Sequence, residues 1–532
     1  MNTIIGELGK SQRFIDLSNQ IEKETSPISI SGLTSVGMTE LVSAINGYNK
    51  KTILLVTYNE IQAKKIVQNL QTFEGEKVVF FPKKEVVTYD YVAESKDLPY
   101  ERIETLNKIK EKKNLIVVTT IEALMQKLPS KKALYKNILE FKVGDIHNLE
   151  DVKKSLVNMG YSRCDLIEGR GQFSVRGGIV DISADDKIGI RIELWGDEVD
   201  SIRNFSISSQ RSISTLEKAK IYPANEHVLD DKIENICKRI RQKLTEGKQD
   251  EIIEEDLEQI KAGNYISKID KYFDLFYENQ ANFLDYISDK YLLILDEETK
   301  IKQRIDNIKI DNNNLIKSIA EKGRIIPDAI ESISDYSYDI ADLNHINIEK
   351  TDASYGNNVY YFKYRDVNYY RAETEILLNT LKESIDLKKK VVILGGNEEN
   401  ARKLSLLLTD NDIPHRYIKN INNVNFGEVV VTTGALSSGF ECKDTKLLVI
   451  SSEEFFTTKT KKRKANNVFK QSEKVVFADL RIGDYVVHKV HGIGQYIGVN
   501  TIKTGEITKD YIKIRYRDDD ILYVPTNSVN SS

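Results

Sequence analysis

Pro27-Ile-Ser-Ile-Ser-Gly32-Leu-Thr-Ser-Val-Gly37-Met38-Thr39 decides the fold. Pro27-Ile-Ser-Ile predicts a strand that runs into Gly32, and Leu41, Val42 and Ile45 beyond it predict a helix. The pattern repeats outward from there. Ile53-Leu-Leu-Val56 predicts a second buried strand, and Ile61, Ala63, Ile66, Val67 and Leu70 give the apolar face of the helix after it. Val78-Val-Phe-Phe81 and Leu115-Ile-Val-Val118 complete the set. Strands separated by helices imply a parallel sheet with right-handed crossovers.

The rest of the chain changes texture several times. After a first α/β domain over residues 1–125, residues 126–212 alternate apolar and polar side chains at period two through Phe173–Ile182, Ile188–Leu194 and Asp197–Ile207. Gly177-Gly178 and Gly196-Asp197 supply turns, so a small mixed α+β domain with antiparallel strands is expected, inserted after the first. Residues 213–345 read as charged and helical, returning to a buried run at Leu292-Leu-Ile-Leu. A second α/β domain is expected over 352–456, with strands Val391–Leu394, Val429–Val431 and Leu447–Ile450. Residues 457–475 carry seven basic side chains (Lys459, Lys461, Lys462, Arg463, Lys464, Lys470 and Lys474) against Glu473 alone. Such a run reads as a solvated linker or as a contact for nucleic-acid phosphate. Residues 476–532 form a compact all-β pattern that stops at Asn527-Ser-Val-Asn-Ser-Ser532, an end that reads as cut.

Composition bounds the function. The 532 residues are enough for roughly three to five domains. Lysine and arginine total 77 against 81 acidic residues, which excludes a chain coated in basic charge but allows local patches. Apolar runs such as Tyr291-Leu-Leu-Ile-Leu stop far short of the ~20 residues that cross a bilayer, and no secretory segment opens the chain. The three cysteines, Cys164, Cys237 and Cys442, are too few and too scattered for a disulfide framework or a cysteine-rich zinc site. A soluble, cytoplasmic protein with no membrane contact and no metal is expected.

Gly32 to Thr39 has the spacing G-x-x-x-x-G-x-T of a phosphate loop, at a strand-to-helix junction. A working loop needs a lysine for the terminal phosphates and a hydroxyl for magnesium. Met38 stands where the lysine belongs, and a thioether carries no charge. Gly32, Gly37, Met38 and Thr39 therefore read as a relic loop, against the other reading, that nucleotide is bound and hydrolysed here. Asp296-Glu297-Glu298, after a buried strand, has the placement of an acidic box that holds magnesium. Beside a loop without its lysine it reads as a second relic. No catalytic residue is expected. His488 and His491 lie three apart in a strand-like run and so cannot share a metal, Cys164 has no histidine nearby, and Trp195 reads as a packing residue of an apolar strand.

The longest informative stretch runs from Tyr161-Ser-Arg163-Cys-Asp-Leu-Ile-Glu-Gly-Arg-Gly171-Gln-Phe173-Ser-Val-Arg176-Gly177-Gly178-Ile-Val-Asp181 on to Ile192-Glu-Leu-Trp-Gly196-Asp197-Glu198-Val-Asp200-Ser-Ile-Arg203. It resembles the inserted domain shared by the excinuclease subunit UvrB and the transcription-repair coupling factors. The loop without its lysine favours the coupling factors, since UvrB has a functional ATPase there. Leu480-Arg-Ile-Gly483-Asp-Tyr-Val-Val487-His488-Lys-Val-His491-Gly492-Ile-Gly494-Gln-Tyr496-Ile-Gly498, continued by Tyr511–Tyr516 and Leu522–Pro525, resembles the CarD-like polymerase-interacting module of the same family. From Asp479 onward, seven basic residues balance seven acidic ones, so electrostatics gives this module no reason to bind nucleic acid.

The resemblance implies a degenerate RecA/helicase-like parallel sheet, the UvrB-like inserted domain, its return segment, a second α/β domain and a small SH3/Tudor-like all-β module. It further implies an amino-terminal piece of a protein whose ATP- and magnesium-dependent DNA translocase, with most of the double-stranded DNA contact, follows this stretch. The implied partners are UvrA at Arg163, Phe173 and Arg176, and the β subunit of RNA polymerase at Val499, Thr501, Ile502 and Lys503. Two guanidinium groups beside an aromatic ring have the composition of an interface hot spot. The alternative is that Arg176 braces the Gly177-Gly178 turn and Phe173 fills the core. No cofactor is expected in this stretch. Two other readings stay open, a UvrB-type repair ATPase and a DNA-binding scaffold resting on Lys459–Lys474.

Overall fold

Four early strands and three late returns build the first sheet. The computed structural model describes residues 2–24, 27–84, 98–136, 138–183, 186–224, 226, 228, 232–243, 250–262, 271–277, 279–287, 290–321, 344–350, 358–367, 374–419, 421, 423–451, 485–488, 492–504, 507–515 and 521–525. They form two compact units, residues 1–457 and 458–532.

In the first unit, seven strands lie in the order Val359–Tyr361, Ile28–Ser31, His345–Ile348, Tyr291–Asp296, Thr52–Thr57, Ile116–Thr120 and Val78–Phe81. Every neighbouring pair is parallel. Ile53 and Leu55 bury one face of the sheet against the helices Ser35–Asn49 and Glu60–Glu74, while Leu54 and Val56 bury the other. Burial on both sides is why these strands read as unbroken apolar runs. The sheet reaches further along the chain than the expected boundaries, because Val359–Tyr361 pairs with Ile28–Ser31 and so belongs to it, beyond residue 352.

The second sheet is inserted between Ile116–Thr120 and Tyr291–Asp296. Its order is Ser212–Leu216, Glu198–Ser206, Ile188–Trp195, Ile179–Ser183, Gln172–Arg176 and Ser162–Arg163. All pairs are antiparallel except the last, which is parallel. Helix Leu149–Asn158, started by the Asn148 side chain, packs Val152 and Leu156 on the inner face. The expected end at 212 falls short: Ser212–Leu216 extends the sheet, and Lys218–Ile221 pairs with Leu139–Lys142. The helical character expected from 213 begins with Ile233–Gln242.

A third sheet centres on Lys390–Leu394, which is parallel to Val429–Thr432 on one side and Leu447–Ser451 on the other. Leu394, Val430 and Phe440 share one core with Ile28, Leu41 and Ile53 of the first sheet's layer. Arg13 reaches Asp444 at 2.8 Å, and Lys390 pairs with Glu7, tying the amino-terminal helices to this third layer. Among the described residues no helix is long and apolar enough to cross a membrane.

The second unit is a four-stranded antiparallel sheet in the order Tyr485–His488, Gly492–Thr504, Ile507–Arg515 and Ile521–Pro525. His491 and the basic run 457–475 lie outside the described residues.

Candidate functional site

The phosphate loop is closed by the chain itself. Helix Ser35–Asn49 begins one turn earlier than a nucleotide cradle would need, because Thr34 is its N-cap. The Thr34 hydroxyl accepts the Gly37 amide at 3.0 Å and its carbonyl accepts the Met38 amide at 2.9 Å, so these donors turn inward. On the other side, Phe362 donates its amide to the Ser31 carbonyl and Tyr364 donates to Gly32. Gly32 holds φ at +77°, and a Cβ built there would lie 2.1 Å from the Phe362 carbonyl oxygen and 2.7 Å from the Tyr361 ring. A Cβ on Gly37 would lie 2.4 Å from the Tyr364 ring. The glycines of the motif therefore admit the backbone and aromatic rings of residues 361–364. Met38 is buried in the same core, and the Thr39 hydroxyl donates to the Val36 carbonyl at 2.7 Å.

Behind Thr39 sits Glu40, fully buried, with one carboxylate oxygen accepting the Tyr364 hydroxyl at 2.8 Å and the other without a partner among the described residues. Burial pushes its pKa from 4.5 up to about 8, although the Tyr364 hydrogen bond opposes the shift. The folded chain thus holds a proton between pH 4.5 and 8 that the unfolded chain has released, so stability falls as pH rises through that window. Glu40→Gln, permanently neutral, should flatten the fall and gain on the order of a few kcal/mol over the parent at pH 8. Denaturant unfolding from pH 5 to 8.5 checks this; parallel profiles for the two proteins would contradict it.

Asp296 ends its strand as expected, but its carboxylate accepts the Thr57 hydroxyl at 2.8 Å and the Gln62 amide at 3.2 Å. Burial is the largest influence on it and raises its pKa. Glu297 holds φ at +62° and faces Lys300 and Lys350, and Glu298 begins the next helix. Among the described residues, no group of three or more metal-ligating side chains is assembled.

On the inserted sheet the three residues expected to act together are separated by the strand register. Phe173 is fully buried in the inner core, packed with Val180, Ile182 and Ile192, so it cannot touch a partner. Arg163 pairs with Phe173 across the short edge strand and so lies on that inner side, exposed, where its charge lowers the pKa of Glu150, after the larger effect of Lys153. Arg176 pairs with Ile179 and lies on the outer face. Its guanidinium donates to Asp181 at 2.8 Å, and Asp181 is also gripped by two bonds from Arg191. Bracing and exposure coexist, since half of the Arg176 side chain remains open at 49%.

Trp195, read from sequence as a packing residue, is 85% exposed. Alternation along Ile188–Trp195 sends Leu194 inward and leaves Trp195 on the face of Arg191 and Glu193. Counting two residues from Glu193 would have found it.

In the second unit, Gly492–Thr504 pairs with Tyr485–His488 only over Gly492–Gln495, whereas it pairs with Ile507–Arg515 from Gln495 to Thr504. Val499, Thr501, Ile502 and Lys503 lie in the stretch whose second edge has no paired strand among the described residues. Such an edge offers main-chain groups to an added strand.

Comparison with known proteins places both regions. Residues 139–227 match the family described as the UvrB interaction domain, and residues 480–531 match the CarD-like/TRCF RID domain. The transcription-repair-coupling factor of Bacillus subtilis (strain 168) is 30% identical over 558 aligned residues, covering 100% of this chain and 47% of the relative. Along its whole length this chain is similar to the transcription-repair coupling factors. The proteins of that name from Staphylococcus haemolyticus (strain JCSC1435), at 28%, and Staphylococcus aureus (strain bovine RF122 / ET3-1), at 27%, match 100% and 99% of the chain and again 47% of their own length. The chain spans about half the length of the curated relatives it matches. Both family-matched domains coincide with separate sheets, the inserted one and the four-stranded one.

Proposed function

We propose that this chain is a docking part of a transcription-coupled repair factor, bringing RNA polymerase stalled at DNA damage together with UvrA of nucleotide excision repair. The inserted sheet docks UvrA, and the open edge of the four-stranded sheet docks the polymerase β subunit in the cytoplasm. The observation that carries this reading is the pair of matched domains, in order, within a chain similar throughout to coupling factors. The first sheet would be a helicase-like scaffold that has lost its nucleotide, and the small module an SH3/Tudor-like barrel. ATP and magnesium, and the translocation of DNA, would belong to the part of the relatives that this chain does not span. A UvrB-type ATPase is disfavoured by a loop whose glycines are pressed against residues 361–364.

UvrA then meets two separate guanidinium groups, Arg176 on the outer face and Arg163 at the edge strand. Arg163→Glu and Arg176→Glu should each weaken UvrA binding by roughly 2–4 kcal/mol, the size of a hot-spot contact. Because the two sites share no partner, the double variant should lose the sum. Melting temperatures should change little, since Arg191 keeps Asp181 paired when Arg176 is replaced. Calorimetric titration of UvrA into the four proteins tests this. Unchanged affinity in both single variants would refute the docking site.

A further inference from the structure

The outer face of the inserted sheet is not uniform. At one end Ile167, Phe205 and Ile207 form a small buried cluster with Cys164 packed against it, so that end is closed by the chain's own loop. At the other end nothing described covers the sheet. The cross-strand row there is Trp195–Glu198–Ile146: Trp195 pairs with Glu198, and Ile146 bridges to Glu198 from the other side. The segment is fixed by the His147 amide on the Asp197 carbonyl at 2.7 Å and the Val199 amide on the Asp145 carbonyl at 2.9 Å. Residues paired across strands share a face, so the indole and the Ile146 side chain, 70% exposed, flank one carboxylate.

Arg176, Ile179, Glu193 and Ser201 form the next row inward. From Arg176 to Trp195 is two strands across and two residues along, about 12 Å between Cα atoms at ordinary sheet spacings. The indole is therefore continuous with the guanidinium face proposed for UvrA. Its rim is acidic, with Asp145, Asp197, Glu198 and Asp200 all exposed. A rigid aromatic ring beside apolar and acidic groups suits a cationic side chain that stacks on the ring and pairs with the carboxylates.

We propose that Trp195, flanked by Ile146 and Glu198, is the aromatic anchor of the docking face, and that it receives a lysine- or arginine-bearing segment of UvrA. This rests on the UvrA reading above and names the residue that fills the role Phe173 cannot. It also explains why an indole stands almost wholly in solvent on a strand whose neighbour, Leu194, is buried.

Trp195 is the chain's one tryptophan, so 5-fluorotryptophan incorporation gives a single fluorine resonance, free of UvrA signals. Adding unlabelled UvrA should shift or broaden that resonance. Trp195→Ala should weaken UvrA binding at least ~10-fold, Trp195→Phe less, and Glu198→Lys should weaken it by reversing the charge offered to the cation. Melting temperatures should stay at the parent value, since these side chains are exposed. If Trp195→Ala binds UvrA as the parent does while Arg176→Glu does not, the anchor is refuted and the docking reading survives. If the parent itself fails to bind UvrA, both fall. A fluorine shift that follows the chain's own concentration without UvrA would assign the row to a second copy and overturn the proposal.

Discussion

Gly32→Ala should destabilise the first unit by ~3 kcal/mol or more, with no nucleotide involved. The added methyl would enter a backbone at φ +77°, where an alanine is strained, and would lie 2.1 Å from a carbonyl oxygen that cannot rotate away. Relief requires pushing residues 361–364 off the loop, which breaks the amide bonds from Phe362 to Ser31 and from Tyr364 to Gly32. In the same experiment magnesium ATP should leave the parent's unfolding midpoint where it is, because the loop amides face their own chain. Met38→Lys should not rescue the site: it places an ammonium where a thioether is 2% exposed, which costs several kcal/mol. Denaturant unfolding with and without magnesium ATP reads all three. A Gly32→Ala protein as stable as its parent, or a parent stabilised by ATP, would mean that the loop is open.

The second large effect concerns polymerase. Ile502 lies in the strand Gly492–Thr504, paired with Lys509, along the stretch whose far edge carries no strand among the described residues. If polymerase adds a strand there, a cation at 502 would be carried into the contact. Ile502→Arg should then weaken association by at least ~100-fold, through the cost of desolvating an unpaired charge. The cross-strand pairings on the 507–515 side are made by main-chain groups, so circular dichroism should report an intact sheet. Normal polymerase capture by a folded Ile502→Arg protein would move the docking edge elsewhere.

Local periodicity made much of this legible. Ile53-Leu-Leu-Val56 and Val391-Val-Ile-Leu394 are buried on both faces, and a continuous apolar run between turns is what such a strand must look like. Met38, in the motif's lysine position, is legible as a missing charge. The closure of the loop was not legible, since Tyr361 and Tyr364 lie more than 300 residues from Gly32 and nothing local ties them to it. Phe173 and Trp195 are a different case. Phe173 and Val175 share the inward phase, and Trp195 follows an inward Leu194, so period two would have buried one aromatic ring and exposed the other. The separation of Arg163 from Arg176 needed the register itself, because a parallel edge strand attached after a loop fixes the side on which Arg163 emerges.

Sedimentation of this chain mixed with UvrA and RNA polymerase, with no ATP added for it to hydrolyse, tests the central claim most directly. If the two sheets dock their partners as proposed, one complex that contains all three proteins is expected. A chain that sediments alone beside both partners would contradict the account.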